Sequence, residues 1–119
     1  MQLNSKRYYA RTALSNDNWE TRYAALQMLR SSAESTDIKR IEQCLLDPVA
    51  PVKTMALKVL ASLLALDSES AIKECLVYND PSDPYGSLEV RETARETLDA
   101  ILAHTRTDVE NTAHVAHNV

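Results

Sequence analysis

Two cysteines and three histidines are the side chains of this 119-residue chain with the most versatile chemistry. A thiolate beside a histidine is a nucleophile, and Cys/His clusters at short spacing bind zinc. Cys44 and Cys75 stand apart in the chain, each three residues after an Ile and just before a Leu, with no Cys-x-x-Cys. They read as small core residues with reduced thiols. His114 and His117 have the spacing of a chelating pair on a helix, and His104 is the remaining histidine. Two ligands without further Cys or His do not complete a metal site, so neither a metal nor a cofactor is expected. No histidine falls near a Ser or Cys nucleophile in the sequence pattern, and the chain is not expected to be an enzyme. Gly86 is the only glycine, which excludes the Gly-rich loops that cradle phosphates.

Positive charge offers another chemistry. The run Lys6-Arg7-Tyr8-Tyr9-Ala10-Arg11 interleaves cations with aromatic rings, as phosphate-gripping and base-stacking surfaces do. The rest of the chain argues against nucleic acid. Residues 1–58 carry a net +3 and residues 59–119 a net −7, giving a basic and an acidic end. Such polarity orients a protein partner.

The elements that position these residues follow from internal repetition. Trp19–Leu29, Ala50–Leu60 and Leu88–Leu98 align without gaps. Each has a basic residue (Arg22, Lys53, Arg91), then Ala three positions on (Ala25, Ala56, Ala94) and Leu four beyond that (Leu29, Leu60, Leu98). That spacing is the buried stripe of a helix. A shorter pattern precedes each segment: Ile41–Leu45 matches Ile72–Leu76 at an offset of 31, and Ala10, Ala13 and Leu14 take the same apolar positions 31 earlier. The third long segment is displaced by 38 instead, so seven extra residues fall in Asn79–Ser87, a stretch with loop composition. Helices are expected near 4–15, 18–32, 36–46, 49–66, 68–78 and 88–104. Asp17 with Glu20, Asp47 before Pro48, and Ser87 mark helix starts. Arg95 and Thr97 replace the Leu57 and Val59 of the middle copy, the polar substitutions expected where stacking ends.

The pattern resembles HEAT repeats, including the phycobilisome-lyase type, over about residues 4–104. Asp47-Pro48…Val52-Lys53…Ala56…Leu60 is the best copy and Val90-Arg91…Ala94…Leu98 the second, while the first has Thr21 where Val is usual. The resemblance implies an all-α fold, an α-solenoid of three helix pairs in one domain over 1–104. Its repeats cover about 4–32, 36–66 and 68–104, and residues 105–119 form a polar, loosely ordered tail. It further implies that Arg22, Lys53 and Arg91 form a structural ladder with loop acids, Asp17 and Asp47 foremost and Asp83 where the insertion intervenes. The family binds partners on the exposed ridge of its inner helices. Tyr23, Gln27, Arg30, Lys58, Glu92 and Glu96 are the contact residues expected there, among Glu20, Thr54, Glu89 and Asp99.

A chain this short has little room for a separate effector domain. The expected function is non-enzymatic protein binding as an adaptor, assembly factor or inhibitor. A nucleic-acid-binding module and a lyase-type subunit acting with a partner are the alternatives. The longest apolar stretch, Val59–Leu66, contains Ser62 and is too short to span a bilayer, and no signal-peptide pattern opens the chain. A cytoplasmic location is therefore expected.

Overall fold

A computed structural model describes the backbone of residues 2–117 and the side chains of residues 6–106. It is all-helical, with no strand among the described residues. Helix α1 spans Gln2–Ala13 and α2 spans Trp19–Ser32. The short α3, Ile38–Gln43, lies between two 3₁₀ turns, Ser35–Asp37 and Cys44–Leu46. Helix α4 covers Ala50–Ser62, α5 covers Glu69–Cys75, and α6 runs Pro84–His117. The middle helix α4 packs on α2 at one side and α6 at the other, while α1 lies on α2, α3 on α4 and α5 on α6. The radius of gyration is 16.0 Å; a globule of this length has about 13.5 Å.

The repeated apolar positions build the core. Ala25, Ala56 and Ala94 are buried, as are Leu29, Leu60 and Leu98. A small residue in the centre of each long helix lets its neighbour approach closely. Because α4 is covered on two sides, Val52, Met55, Leu57 and Val59 are buried as well. Thr97, expected on the outward-facing end of the stack, does not face outward. It is buried, and its hydroxyl donates to the Leu57 carbonyl of α4 at 3.2 Å. A threonine methyl suits an apolar contact, and the hydroxyl finds its acceptor on the neighbouring backbone. Arg95 is exposed.

Helix ends differ from the expected ones in instructive ways. Asn18, one residue beyond Asp17, caps α2: its side chain accepts from the amides of Glu20 and Thr21. Helix α4 stops at Ser62 instead of continuing to 66. Leu64 takes a left-handed conformation, φ 50°, and the Ala65 amide reaches back to the Leu60 carbonyl. This is the usual helix-terminating turn, built here without the customary glycine. Helix α6 begins within the expected loop, and continues past residue 104 to His117. The side chains of 107–119, and with them His114 and His117, lie outside the described residues.

The early start of α6 has a local cause. Pro84 opens the first turn, where its missing amide costs nothing. The Asp83 carboxylate accepts from the Gly86 amide at 3.0 Å. Ser87, expected to cap the helix, is buried inside its first turns and holds the loop through the Asp80 amide at 2.7 Å. Gly86 is required for space: a Cβ there would stand 2.1 Å from an Asp83 carboxylate oxygen and 2.9 Å from the Ala50 Cβ of α4. Gly86→Ala is expected to destabilise the protein by about 1–2 kcal/mol through lost capping and overpacking, against alanine's better helix propensity. Thermal denaturation of the two proteins measures it, and a higher midpoint for the variant refutes the packing argument.

Candidate functional site

Two families of side chains stand on this frame, one internal and one exposed. The internal family starts at Arg22. Its guanidinium grips Asp47 through Nε at 2.6 Å and Nη2 at 3.1 Å, and Nη1 donates to the carbonyls of Asn16 and Asp17. Asp17 therefore contributes its backbone carbonyl. Both Asp47 oxygens are engaged, because Oδ1 also accepts from the Val49 amide at 2.9 Å and fixes the turn into α4.

Thirty-one residues further on, the equivalent positions have new chemistry. Lys53 replaces Arg22, and Tyr78 replaces Asp47. The Lys53 ammonium sits 4.5 Å from the Tyr78 ring centroid and donates to the Leu45 carbonyl at 2.6 Å. A cation over an aromatic face thus occupies the place of the ion pair. Arg91 closes the series by donating to the Tyr78 carbonyl at 2.8 Å. A second pairing advances by the same step. Arg11 binds the buried Asp37 carboxylate, and the counterpart residues Glu42 and Ser68 share a 2.8 Å hydrogen bond. Sequence reasoning missed this second series. Its signal was available, since Arg11 and Glu42 are separated by the repeat length, as are Asp37 and Ser68.

The cysteines lie in the apolar interior, at 7% and 5% exposure. Burial pushes the Cys44 thiol up to about 11 and raises that of Cys75. Both stay protonated at neutral pH, which removes the thiolate that reactivity needs. Among the described residues no three His, Cys, Asp or Glu side chains group so as to hold a metal ion, and no helix is long and apolar enough to cross a membrane. The basic run is largely committed to internal contacts. Arg7 pairs with Glu34 at 2.8 Å and Arg11 with Asp37, while Tyr8 and Tyr9 are exposed.

The exposed family lies on α2, α4 and α6. Gln27 and Arg30 are open to solvent, as are Glu92 and Glu96, and Lys58 is half-buried. Gln27, Lys58 and Glu96 occupy equivalent positions on three helices packed in a row. Tyr23 is half-buried against the core and meets Trp19 edge-on, with ring centroids 6.4 Å apart and planes at 75°. Thr54, at the position equivalent to Tyr23, is buried and does not reach the surface; its hydroxyl has no partner among the described residues. Its neighbours on both sides cover it, so the exposed strip narrows at α4. Glu92 and Glu96 also border a shallow cleft of about 390 Å³ with Leu76, Arg91 and Arg95 at the free edge of α5 and α6. Glu20, Glu89 and Asp99 are exposed.

No protein-family model, curated protein or solved structure matches this chain.

Proposed function

We propose that the chain is a HEAT-like α-solenoid of three helix pairs, and that it works as a non-enzymatic protein-binding module in the cytoplasm. One observation carries the reading: equivalent positions on α2, α4 and α6 keep their buried residues and change their exposed ones. Ala and Leu recur in the interior, while the outer position runs Gln27, Lys58, Glu96. A constant frame carrying a varied strip is the design of a recognition surface. Charge along that strip passes from Arg30 and Lys58 to Glu92 and Glu96, which favours a partner of matching polarity. Tyr23, backed by Trp19, supplies a pre-positioned aromatic contact. Adaptor, assembly factor and inhibitor share this mechanism of surface presentation. The pairing of Arg7 with Glu34 and of Arg11 with the buried Asp37 weighs against the nucleic-acid alternative.

The test places a photo-crosslinking residue at Gln27, with Lys39 on α3 as control, in the native cell extract. A partner captured at Gln27 alone is then purified for association kinetics. Glu92→Lys with Glu96→Lys is expected to slow association about tenfold at low salt, with the effect fading as salt screens it. Tyr23→Ala is expected to speed dissociation instead. Crosslinks confined to Lys39, or unchanged kinetics in well-folded variants, overturn the ridge as the interface.

A further inference from the structure

The outer helices present a second surface that involves none of the ridge residues and does not rest on the reading above. A cleft of about 570 Å³ opens between α1 and α3, and another of about 510 Å³ between α3 and α5. Every residue lining the first has its counterpart, 31 positions on, lining the second. They are one cleft built twice. The chemistry, however, is inverted. The step replaces Arg40 by Ala71, Gln43 by Glu74 and Ser15 by Leu46.

The charges left over in each cleft decide what it attracts. In the first, Arg11 is held by Asp37 and Asp47 by Arg22. The exposed guanidinium of Arg40 has no ion-pair partner among the described residues. In the second, the Lys53 ammonium, donating to the Leu45 carbonyl, and the Glu42 carboxylate, accepting from Ser68, both line the cleft and offset each other in net charge. Glu74 is exposed there without an ion-pair partner among the described residues, next to Leu46, which is 77% exposed. One cleft thus offers a cation, and its twin offers a carboxylate beside an apolar surface.

We propose that the two clefts form a single docking site for an extended segment of another protein, bearing a carboxylate for the first cleft and an apolar–basic pair for the second. The spacing follows from geometry. Each outer helix rides on its inner helix, and the packed inner helices step by about 8–10 Å; an extended chain advances about 3.3 Å per residue, so the acidic and basic side chains stand about three residues apart. The opposed charges select one polarity of segment: reversing it sets like charges together in both clefts.

The probes are fluorescein-labelled octapeptides with the central sequences Asp-Ser-Leu-Lys and Lys-Leu-Ser-Asp, compared with Asp-Ser-Leu-Asp, Lys-Ser-Leu-Lys and Gln-Ser-Leu-Gln. Binding to the full-length chain is read by fluorescence anisotropy at low and at moderate salt. One or other mixed-charge peptide is expected to bind at least about tenfold tighter than the like-charged and neutral ones, as one charge-assisted contact implies. Arg40→Glu and Glu74→Lys are each expected to lose about tenfold on that peptide. Arg40→Glu is expected to regain the loss on Lys-Ser-Leu-Lys, and Glu74→Lys on Asp-Ser-Leu-Asp. Circular dichroism confirms that both exposed substitutions leave the helices intact. Equal binding across the five peptides, no binding at all, or indifference to both variants overturns the proposal. So does light scattering that finds the clefts closed in a dimer which Arg40→Glu dissociates.

Discussion

Leu60→Asp is expected to abolish the folded state. Leu60 is fully buried in α4, which packs between α2 and α6. Truncating a buried leucine costs about 2–5 kcal/mol from lost burial and the residual cavity. An unpaired charge in the interior adds several kcal/mol more. The sum approaches or exceeds the roughly 5–15 kcal/mol that keeps a domain folded. The measurement is far-UV circular dichroism with a thermal scan, using Gln27→Asp on the exposed side of α2 as control. The control is expected to stay within about 0.5 kcal/mol of the parent. A Leu60→Asp protein that melts like the parent refutes the packing of α4 between its neighbours.

Asp37→Asn is expected to cost about 2–3 kcal/mol at neutral pH, the worth of a buried hydrogen bond to a charged partner. Asp37 is 1% exposed, bound by Arg11 of α1 and by the Glu34 amide at 2.9 Å. Burial by itself pushes the carboxyl up. The Arg11 and Glu34 hydrogen bonds, with the charges of Arg11 and Arg7, outweigh it and hold the group below its ordinary value. A carboxylate depressed in the folded state stabilises the fold above its unfolded value, about 3.9. That stability is lost as pH falls through the lower, folded value. The gap between parent and variant is therefore expected to be widest near pH 7 and to close below about pH 4. Urea denaturation at a neutral and two acidic pH values reads it directly. A gap that is the same at every pH assigns the loss to packing alone.

Much of this architecture was legible because the same physics acts on each copy. The Ala and Leu positions of the long helices recur, and a recurring apolar position is a buried one. The misreadings have physical causes too. Asn79–Ser87 has the Pro, Gly, Asn and Asp of a loop, yet Asp83-Pro84 is also a helix start. Gly86 serves there because Ala50 crowds the turn. Thr54 looks exposed by helical spacing alone, but α4 is covered on two flanks and spacing within a helix does not report its neighbours. Of the acids expected opposite Arg22, Lys53 and Arg91, Asp47 holds Arg22, but Lys53 faces the Tyr78 ring instead. An aromatic face can receive a cation as a carboxylate does. The twin clefts were illegible because they depend on how α1, α3 and α5 are set by the inner helices they lie on, which no single helix encodes.

The ion pairs and side-chain bonds between elements carry a consequence for how the molecule comes apart. Arg7 to Glu34, Arg22 to Asp47 and Ser68 to Glu42 each span between 25 and 27 residues, about one repeat, and the main helix contacts join neighbours in the row. Stability is then shared between adjacent units, each losing its partner on one side when that side opens. Amide protons of α4, flanked on both sides, are expected to exchange more slowly than those of α1, which packs mainly on α2. Opening at one end is therefore expected to leave the contacts of the other end in place.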